Sequence, residues 1–370
     1  MTTGRVLVVT NDFPPRHGGI ESFVLSLCQG MPADRVVVHT ASMPGDDSYD
    51  ARLPFRVHRD PARVLLPTPA VTGRSIELLR RYRCDRVVLG SSVPLGLMAP
   101  RLRAAGGARI VALTHGHEVW WARLPGTRRL LRRVGDSVDT LTYVSGWTRD
   151  RIAPALSPAA AAAMARLSPG VDPNRFHPGC GGAAVRRRLG IPADAPVVVS
   201  VGRLVARKGQ DTLVRAWPAV LAVAPSAVLL VVGDGPRRSR LERLVAERGV
   251  TDSVVLAGPA AWEDVPALMD AGDVFALPCR TRRWGLEPEA WGIVFLEAQA
   301  CGLPVVVGRS GGAPETVTDP AAGVVVTPTV PAVAQALTDL LTAQVPQPTR
   351  TPRAAWTWQQ ASDRLAELLG

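Results

Sequence analysis

Lysine is nearly absent from this chain: 42 of its 43 basic residues are arginine. The single lysine, Lys208, lies five residues after Arg203 in the segment VVVSVGRLVARKGQD, just beyond a strand-like run. Arginine offers anions a rigid planar fork, whereas lysine is a point charge on a flexible stem. A strand followed by two cations and a helix start is typical of an anion site in an open α/β sheet. A lone lysine on a solvated loop is the alternative interpretation.

Other absences exclude whole classes of protein. The five cysteines are odd in number and contain no CxxC pair, which indicates reduced thiols in a cytosolic protein and argues against a zinc site. No apolar run approaches the ~20 residues of a membrane-spanning helix, and we expect no exported precursor because no signal-peptide pattern opens the sequence. Without a GxGxxG segment, a dinucleotide oxidoreductase is disfavoured. Aromatics make up only 5% of the chain and do not alternate with basic residues, so we expect no nucleic-acid partner.

The net charge of +11 is unevenly distributed along the chain. Residues 1–178 carry a formal charge of +10 and the remainder only +1. This asymmetry favours an anionic macromolecule or membrane as the partner of the first half. The alternative is a chain rich in arginine for compositional reasons, with its charges simply solvated.

Short apolar runs alternate with helical patterns along the whole chain. The runs lie at 5–10, 35–40, 86–90, 109–114 and 140–145 and, after a Pro- and Gly-rich segment at 167–182, at 195–202, 227–235, 253–258, 273–278 and 304–308. Such alternation predicts mostly parallel sheets with helices on both faces, and 370 residues exceed one ordinary core. We therefore predict two doubly wound α/β domains, over 1–178 and 179–350. A C-terminal helix within 351–370 is expected to pack back toward the first domain.

Two loops carry residues suited to a phosphorylated sugar. Gly18 and Gly19 stand where the first helix begins, and glycine there permits close approach of a ligand to the backbone. Further on, Glu289 precedes a helix that starts near Gly292, and Glu297 lies on that helix. The free N–H groups at the start of that helix can bind phosphate or hydroxyl oxygens, and an ionised glutamate accepts hydrogen bonds from a vicinal diol. Taken alone, two acids on a helix more often form a solvated face.

In combination these segments resemble a known family. The chain is similar to the retaining family 4 glycosyltransferases in its GGI turn and in VGRLVARKG, VVGDGP, EAWGIVFLEAQACGLPVV and GGAPE. More narrowly, it resembles the actinobacterial phosphatidylinositol mannosyltransferases of the PimB type in TNDFPPRHGGIESF, THGHEVWW, PCRTR and GIVFLEAQACG. The resemblance covers nearly the whole chain. It implies the GT-B fold, two Rossmann-like domains facing a central cleft, with the acceptor on 1–178 and the nucleotide sugar on 179–350.

The resemblance also implies roles for individual residues. The catalytic residues would be His115, His117, Arg203, Lys208 and Glu289. The donor would be bound by Gly18, Gly19, Arg203, Lys208, Gly233, Glu289, Gly292, Ile293, Val294 and Glu297. Of the two histidines, His115 directly follows a strand and is the better match, while His117 stays an alternative. No metal and no cofactor is implied.

The implied reaction moves a hexose, mannose from GDP-mannose, to an anionic lipid such as a phosphatidylinositol mannoside. Where the family usually has E-G-x-G, this chain has Glu289-Ala290-Trp291-Gly292, so sugar and acceptor are less firmly implied than diphosphate binding. A UDP- or ADP-sugar donor, a soluble or different lipid acceptor, or a sugar-nucleotide 2-epimerase are the alternatives.

Arginine and leucine mix at helical spacing in 74–83 and 123–133, which suits a surface lying on anionic lipid, although a solvated helix face has the same pattern. The expected partners are therefore a nucleotide sugar, an anionic lipid acceptor and a membrane surface. We expect the protein in the cytoplasm, peripherally bound to the inner face of the cell membrane.

Overall fold

The computed structural model describes residues 4–16, 18–342 and 356–370. It divides into two units: Met1–Gly170 with Thr357–Gly370, and Val171–Trp356. The boundary therefore falls at Gly170, whereas the sequence pattern placed it at 178. Val171, the first residue of the second unit, donates its N–H to the carbonyl of Trp356, the last residue of that unit, at 2.9 Å. Further along the Pro- and Gly-rich segment, the N–H groups of Gly179 and Gly182 donate to Asp270 at 3.0 and 2.7 Å.

The first unit holds one seven-stranded parallel sheet. Its strands are β1 (Arg5–Thr10), β2 (Val36–Ala41), β3 (Arg56–Asp60), β4 (Cys84–Leu89), β5 (Arg109–Ala112), β6 (Thr140–Tyr143) and β7 (Ala165–Arg166). Its helices are α1 (Gly19–Gln29), α2 (Asp46–Asp50), α3 (Pro69–Arg81), α4 (Ala99–Ala104), α5 (Glu118–Arg123), α6 (Pro125–Gly135), α7 (Gly146–Ile152), α8 (Pro158–Ala162) and the C-terminal helix Trp358–Leu369. The spatial strand order is β3-β2-β1-β4-β5-β6-β7.

The second unit repeats this architecture with six parallel strands. They are β8 (Val197–Val201), β9 (Val228–Val232), β10 (Val254–Gly258), β11 (Val274–Leu277), β12 (Val305–Gly308) and β13 (Gly323–Val326). Its helices are α9 (Gly182–Arg188), α10 (Gln210–Leu221), α11 (Arg238–Glu247), α12 (Val265–Asp270), α13 (Ile293–Ala300) and α14 (Val330–Thr342). The strand order is β10-β9-β8-β11-β12-β13.

Valine-rich strands form the centre of both units. All five residues of β8, VVVSV, are buried, as expected for a parallel strand covered by helices on both faces. Val198 pairs in register with Leu229 on one side and with Val274 on the other. Such continuous burial of β-branched side chains explains why these strands were predictable from sequence.

The strand order also determines where a ligand can bind. It reverses direction between β1 and β4 in the first unit and between β8 and β11 in the second. In open α/β sheets, ligands bind beyond the carboxyl ends of the strands at such switch points. The loops after β1, β4, β8 and β11 are therefore the places to look for a site.

The C-terminal helix, α15 (Trp358–Leu369), belongs to the first unit. Trp358 lies 6.0 Å from Phe23 of α1 between ring centroids, and the Arg86 and Arg109 side chains donate to the carbonyls of Leu369 and Leu368 at 2.7 and 3.0 Å. Of the predicted segment 351–370, residues 351–355 lie outside the described residues. In the described part of the chain, no helix is both long and apolar enough to span a bilayer.

Candidate active site

The loop after β8 carries the two predicted cations. Arg203 follows the strand and is exposed, while Lys208 ends a short 3-10 turn, Ala206–Lys208, directly before α10. Gly209 links turn and helix with a left-handed φ of 79°, and a Cβ there would lie 2.2 Å from Pro278 O. Only glycine fits both restrictions, so the turn directs Lys208 toward the loop that follows β11.

Lys208 forms a close ion pair with Glu289. Its Nζ lies 2.9 Å from Glu289 Oε2, and only 12% of the lysine side chain and 11% of the glutamate side chain are exposed. Arg207 NH1 approaches the same oxygen at 3.5 Å and donates to Pro288 O at 3.1 Å. Burial alone would raise the pKa of Glu289, but the charges of Lys208 and Arg207 hold the pKa below its usual value. The structure therefore brings together two of the predicted residues as a charged, mostly buried pair.

Glu297 differs electrostatically from Glu289. It lies on α13 and is 2% exposed. Burial raises the pKa of its carboxyl to about 7, and the more distant charges of Arg175 and Lys208 offset this only in part. The described residues supply no side-chain hydrogen bond to this carboxylate, so its oxygens are available to accept hydrogen bonds from a ligand.

The start of α13 presents the predicted amide groups. Gly292 precedes the helix with φ 96°, and a Cβ there would lie 2.6 Å from a ring carbon of Phe295. Ile293 and Val294 form the first turn and are both partly exposed. Their N–H groups are among those that an α-helix leaves unbonded. Trp291, at the position where the sequence departs from the family pattern, is 8% exposed and therefore buried.

Gly233 packs closely against the loop that follows β8. It follows β9 with φ 133°, and a Cβ would lie 2.2 Å from Gly202 O. Its N–H donates to Gly258 O at 2.7 Å. Gly233 thus allows the loops after β8, β9 and β10 to pack closely.

In the first unit, Gly18 and Gly19 begin α1 after β1. Both are exposed, and a Cβ on Gly19 would meet nothing within 4 Å. The φ of Gly18 is 173°, an extended conformation open to any residue. Backbone access, and not strain, is the property that these two glycines share.

The two histidines of the first unit lie beyond β5 and differ in environment. His115 Nε2 donates to Gly90 O at 2.6 Å, which leaves Nδ1 as the acceptor nitrogen of the neutral ring. Burial lowers the pKa of His115, although the nearby Glu118 carboxylate acts in the opposite direction. His117 is more exposed, with 40% of its side chain accessible and Nε2 3.3 Å from Glu118 Oε1.

Glu118 organises this loop. Its side chain is fully buried, and Oε2 accepts hydrogen bonds from the N–H groups of His115 and Gly116 at 3.0 and 2.9 Å. Its other oxygen accepts one from Ser92 Oγ at 3.1 Å. One carboxylate therefore fixes the backbone that presents both histidines.

Sequence comparisons identify the family. The model of "Glycosyltransferase Family 4" matches residues 17–175, and that of "Glycosyl transferases group 1" matches residues 183–356. A Mycolicibacterium smegmatis protein named GDP-mannose-dependent alpha-(1-6)-phosphatidylinositol monomannoside mannosyltransferase is 44% identical, with 98% of each chain covered. A Corynebacterium glutamicum protein named for the monoacylated form of that acceptor is 40% identical over 99% of this chain and 97% of its own. The chain belongs to the family 4 glycosyltransferases.

Solved structures agree on the fold of this glycosyltransferase. Anabaena HepE, in complex with UDP and glucose, superposes with a TM-score of 0.78 at 19% identity, with 99% of each chain covered. A sucrose-phosphate synthase from Thermosynechococcus elongatus gives a TM-score of 0.78 at 22% identity, over 99% of this chain and 98% of its own. Both expectations, a family 4 enzyme and two Rossmann-like units, are confirmed.

Two residues that contact the site loops of this glycosyltransferase were not predicted from the sequence. Glu118 directly follows His117 in THGHEVWW, and an acid next to two histidines could have indicated a positioning group. Arg207 is next to Lys208 in the sequence, but only the folded loop shows that it also approaches Glu289. Neither contact follows from spacing alone.

Proposed function

We propose that this glycosyltransferase moves mannose from GDP-mannose to a phosphatidylinositol mannoside, with retention of configuration at the anomeric carbon. The observation that carries the proposal is the 44% identity, over 98% of both chains, to the M. smegmatis protein named for this reaction. The buried charges around Lys208, Glu289 and Glu297 support it, because they suit a sugar diphosphate.

Arg203 and Lys208 would bind the diphosphate of the donor. Negative charge grows on the leaving phosphate as the glycosidic bond breaks, and cations already in place stabilise that charge. The Lys208 ammonium has three N–H donors, so it can keep its contact with Glu289 and still donate to a phosphate oxygen. The N–H groups of Ile293 and Val294, with that of Gly292, would bind further donor oxygens.

The two acids would hold different parts of the donor. Glu297, whose carboxylate has no competing side-chain donor within the described residues, suits the vicinal diol of a ribose. Glu289 is already ionised and oriented by Lys208, so it suits the sugar hydroxyls. Attack from the same face as the departing diphosphate gives retention without a covalent enzyme intermediate. His115, held by Glu118, would be the active-site histidine of the family, with His117 as the alternative.

The surface of α6 supports a lipid acceptor and a membrane-bound location. Leu131 and Val134 of this helix are buried, whereas its arginines and Leu130, 38% exposed, face solvent. Leu124, directly before the helix, is 52% exposed. Exposed leucines among arginines suit the boundary of an anionic bilayer, where each basic residue contributes about 1 kcal/mol. We propose peripheral binding to the inner face of the cell membrane.

The other basic segment, residues 74–83, has less positive charge available for anionic lipid. Arg74 of α3 donates to both oxygens of Asp60 at 2.7 and 2.8 Å, which commits it to the fold. Arg80, Arg81 and Arg83 are exposed and carry the remaining charge.

A thermal-shift panel of GDP-mannose, UDP-glucose, UDP-N-acetylglucosamine and ADP-glucose tests the donor. At ~100 times its Kd, a bound ligand adds about 2.7 kcal/mol to stability, so GDP-mannose should raise Tm most. Activity should survive EDTA, because we propose no metal or other cofactor. A larger shift with a UDP- or ADP-sugar would contradict the proposed donor, and activity lost in EDTA would contradict the metal-free mechanism.

A further inference from the structure

The second unit contains a cavity of about 260 Å³ that none of the predicted donor-binding residues lines. Its wall carries four arginines, Arg237, Arg240, Arg280 and Arg282, and one acid, Asp211. One side of the cavity is formed by residues 204–206. They lie between Arg203 and Lys208 in the loop that joins β8 to α10, here called the donor loop. The cavity is thus adjacent to that loop and has an excess of positive charge.

Only part of this positive charge is neutralised by neighbouring acids. Arg280 is matched, because it donates to both oxygens of Asp211 at 2.8 and 2.9 Å. Arg282 approaches Glu287 only at 3.8 Å. Arg237 and Arg240 form no salt bridge with any described residue. Arginines that outnumber the acids on a concave surface are typical of an anion site.

The position of two of these arginines is unfavourable for the helix that carries them. Arg237 is the N-cap of α11 and Arg240 lies in its first turn, where no acidic residue is present. A helix N-terminus carries partial positive charge, so cations there cost free energy and an anion recovers it. A local arrangement that opposes stability is most often found at a functional site.

The wall of the cavity is held in place by hydrogen bonds. The N–H of Arg237 donates to Leu204 O at 3.1 Å, and that of Arg280 donates to Arg207 O at 2.8 Å. The Arg280 side chain also donates to Thr212 Oγ1 at 3.1 Å. These bonds tie α11, the donor loop and the loop after β11 together, so the backbone that carries the arginines is already in place to receive a ligand.

We propose that this cavity binds a phosphate-bearing anion, at a site separate from the donor loop. Guanidinium groups match the geometry of phosphate oxygens through paired N–H donors. The phosphate can belong to a lipid headgroup or to a soluble phosphate ester. Trp284, two residues after Arg282 and 94% exposed, distinguishes these sources, since a membrane would bury it and a soluble ligand would not. The site stands on its own geometry and does not depend on the proposed donor or acceptor.

Calorimetric titration with inorganic phosphate and with glycerol phosphate tests the site in the full chain. The cavity variant is Arg237→Gln with Arg240→Gln. The matched control is Arg243→Gln with Arg248→Gln, two exposed arginines at α11 that change the charge equally but do not line the cavity. A third protein, Lys208→Met, reports phosphate bound at the donor loop. Tm is compared throughout, and the single Arg240→Gln replaces the double variant if the latter unfolds.

We expect the cavity variant to weaken phosphate affinity at least tenfold, while the control stays within twofold of the wild type and Lys208→Met retains the phosphate binding that the cavity variant loses. Vesicles of phosphatidylcholine with and without phosphatidylinositol separate the sources. The ligand is a lipid headgroup if vesicle capture requires phosphatidylinositol and shifts the tryptophan emission to the blue. That shift should be lost in Trp284→Ala. Binding of soluble phosphate without a shift that depends on Trp284 assigns a soluble ester, whether or not α6 captures the vesicles. Equal affinity in wild type and cavity variant for every probe, or loss in Lys208→Met alone, would overturn the proposal.

Discussion

At the scale of single residues, Lys208 is the cation whose removal should distinguish transition-state binding from ground-state binding. We predict that Lys208→Ala lowers kcat by roughly 100-fold or more, the usual effect of losing one charge-stabilising donor, while GDP affinity falls far less. Steady-state kinetics and GDP titration measure the two effects. Arg248→Ala removes an exposed charge of the same unit and should leave both unchanged. Equal turnover in Lys208→Ala would remove the proposed role.

The pKa of Glu297 gives a pH-dependent prediction. Because that pKa is about 7 in the folded chain against an ordinary 4.5, the folded state binds more protons between these values. Stability therefore falls as pH rises through this interval, by about 3 kcal/mol at 1.36 kcal/mol per pKa unit. Glu297→Gln should abolish that fall, whereas Glu247→Gln, exposed on α11, should not. Urea unfolding at pH 5 and pH 8 measures the change in the free energy of unfolding. An equal decrease in the wild type, Glu297→Gln and Glu247→Gln would count against a raised pKa of Glu297.

Glu118 should act through the backbone of the histidine loop. An amide at this position retains one acceptor oxygen, so Glu118→Gln cannot satisfy the donors that meet both carboxylate oxygens. We expect a loss of about 1–3 kcal/mol in stability, the usual effect of leaving buried groups unsatisfied. A fall in kcat with little change in KM should accompany it. Unchanged unfolding and kinetics in this variant would show that the loop is held by other contacts.

At the scale of secondary-structure elements, the N-terminus of α13 depends on one glycine. Gly292→Ala meets both a left-handed φ of 96° and the Phe295 ring at 2.6 Å. Gly249→Ala is the matched control, since its φ is 64° and nothing lies within 4 Å. Backbone strain alone costs about 1 kcal/mol, so Gly292→Ala should destabilise by more than Gly249→Ala and also weaken donor binding. Chemical denaturation of both variants checks this, and equal losses would show that the ring moves aside freely.

Buried strands were predictable from the sequence, and exposed ones were not. The strands β1, β2 and β8 each contain a run of at least three consecutive apolar residues, so periodicity and composition identify them. The strand β3, with the sequence RVHRD, lies at the sheet edge and is mostly polar, because only one side is covered by another strand. Its pairing with β2 depends on long-range contacts that no local pattern encodes. The two-residue β7 was missed for the same reason.

The site was predictable in part. Arg203, Lys208 and Glu289 were singled out by their positions at strand and helix ends. Glu297 was singled out by its place on the following helix, and the family resemblance supports all four. The close pairing of Lys208 with Glu289 could not be derived, because 81 residues separate them in the sequence. The same holds for the cavity arginines, which come from two segments about 40 residues apart in the sequence.

At the scale of the whole molecule, the net charge of +11 should govern membrane binding. Cosedimentation with phosphatidylinositol vesicles should be strong at low salt and fall steeply with ionic strength, since surface charges are screened over about 8–10 Å at physiological salt. Replacing Arg129, Arg132 and Arg133 of α6 by Gln should weaken it, because all three are exposed. The same change at Arg187, Arg188 and Arg243 of the second unit is the matched control. No sedimentation at low salt would argue against a membrane surface as partner.

The transfer reaction itself tests the central claim most directly. Purified protein is incubated with labelled GDP-mannose and vesicles containing a phosphatidylinositol monomannoside, and the lipid product is isolated. We expect one added mannose in α linkage, formed with release of GDP and nearly lost in Lys208→Ala. Label reaching the lipid only from another nucleotide sugar, or an isomerised sugar released with no lipid product, would contradict it.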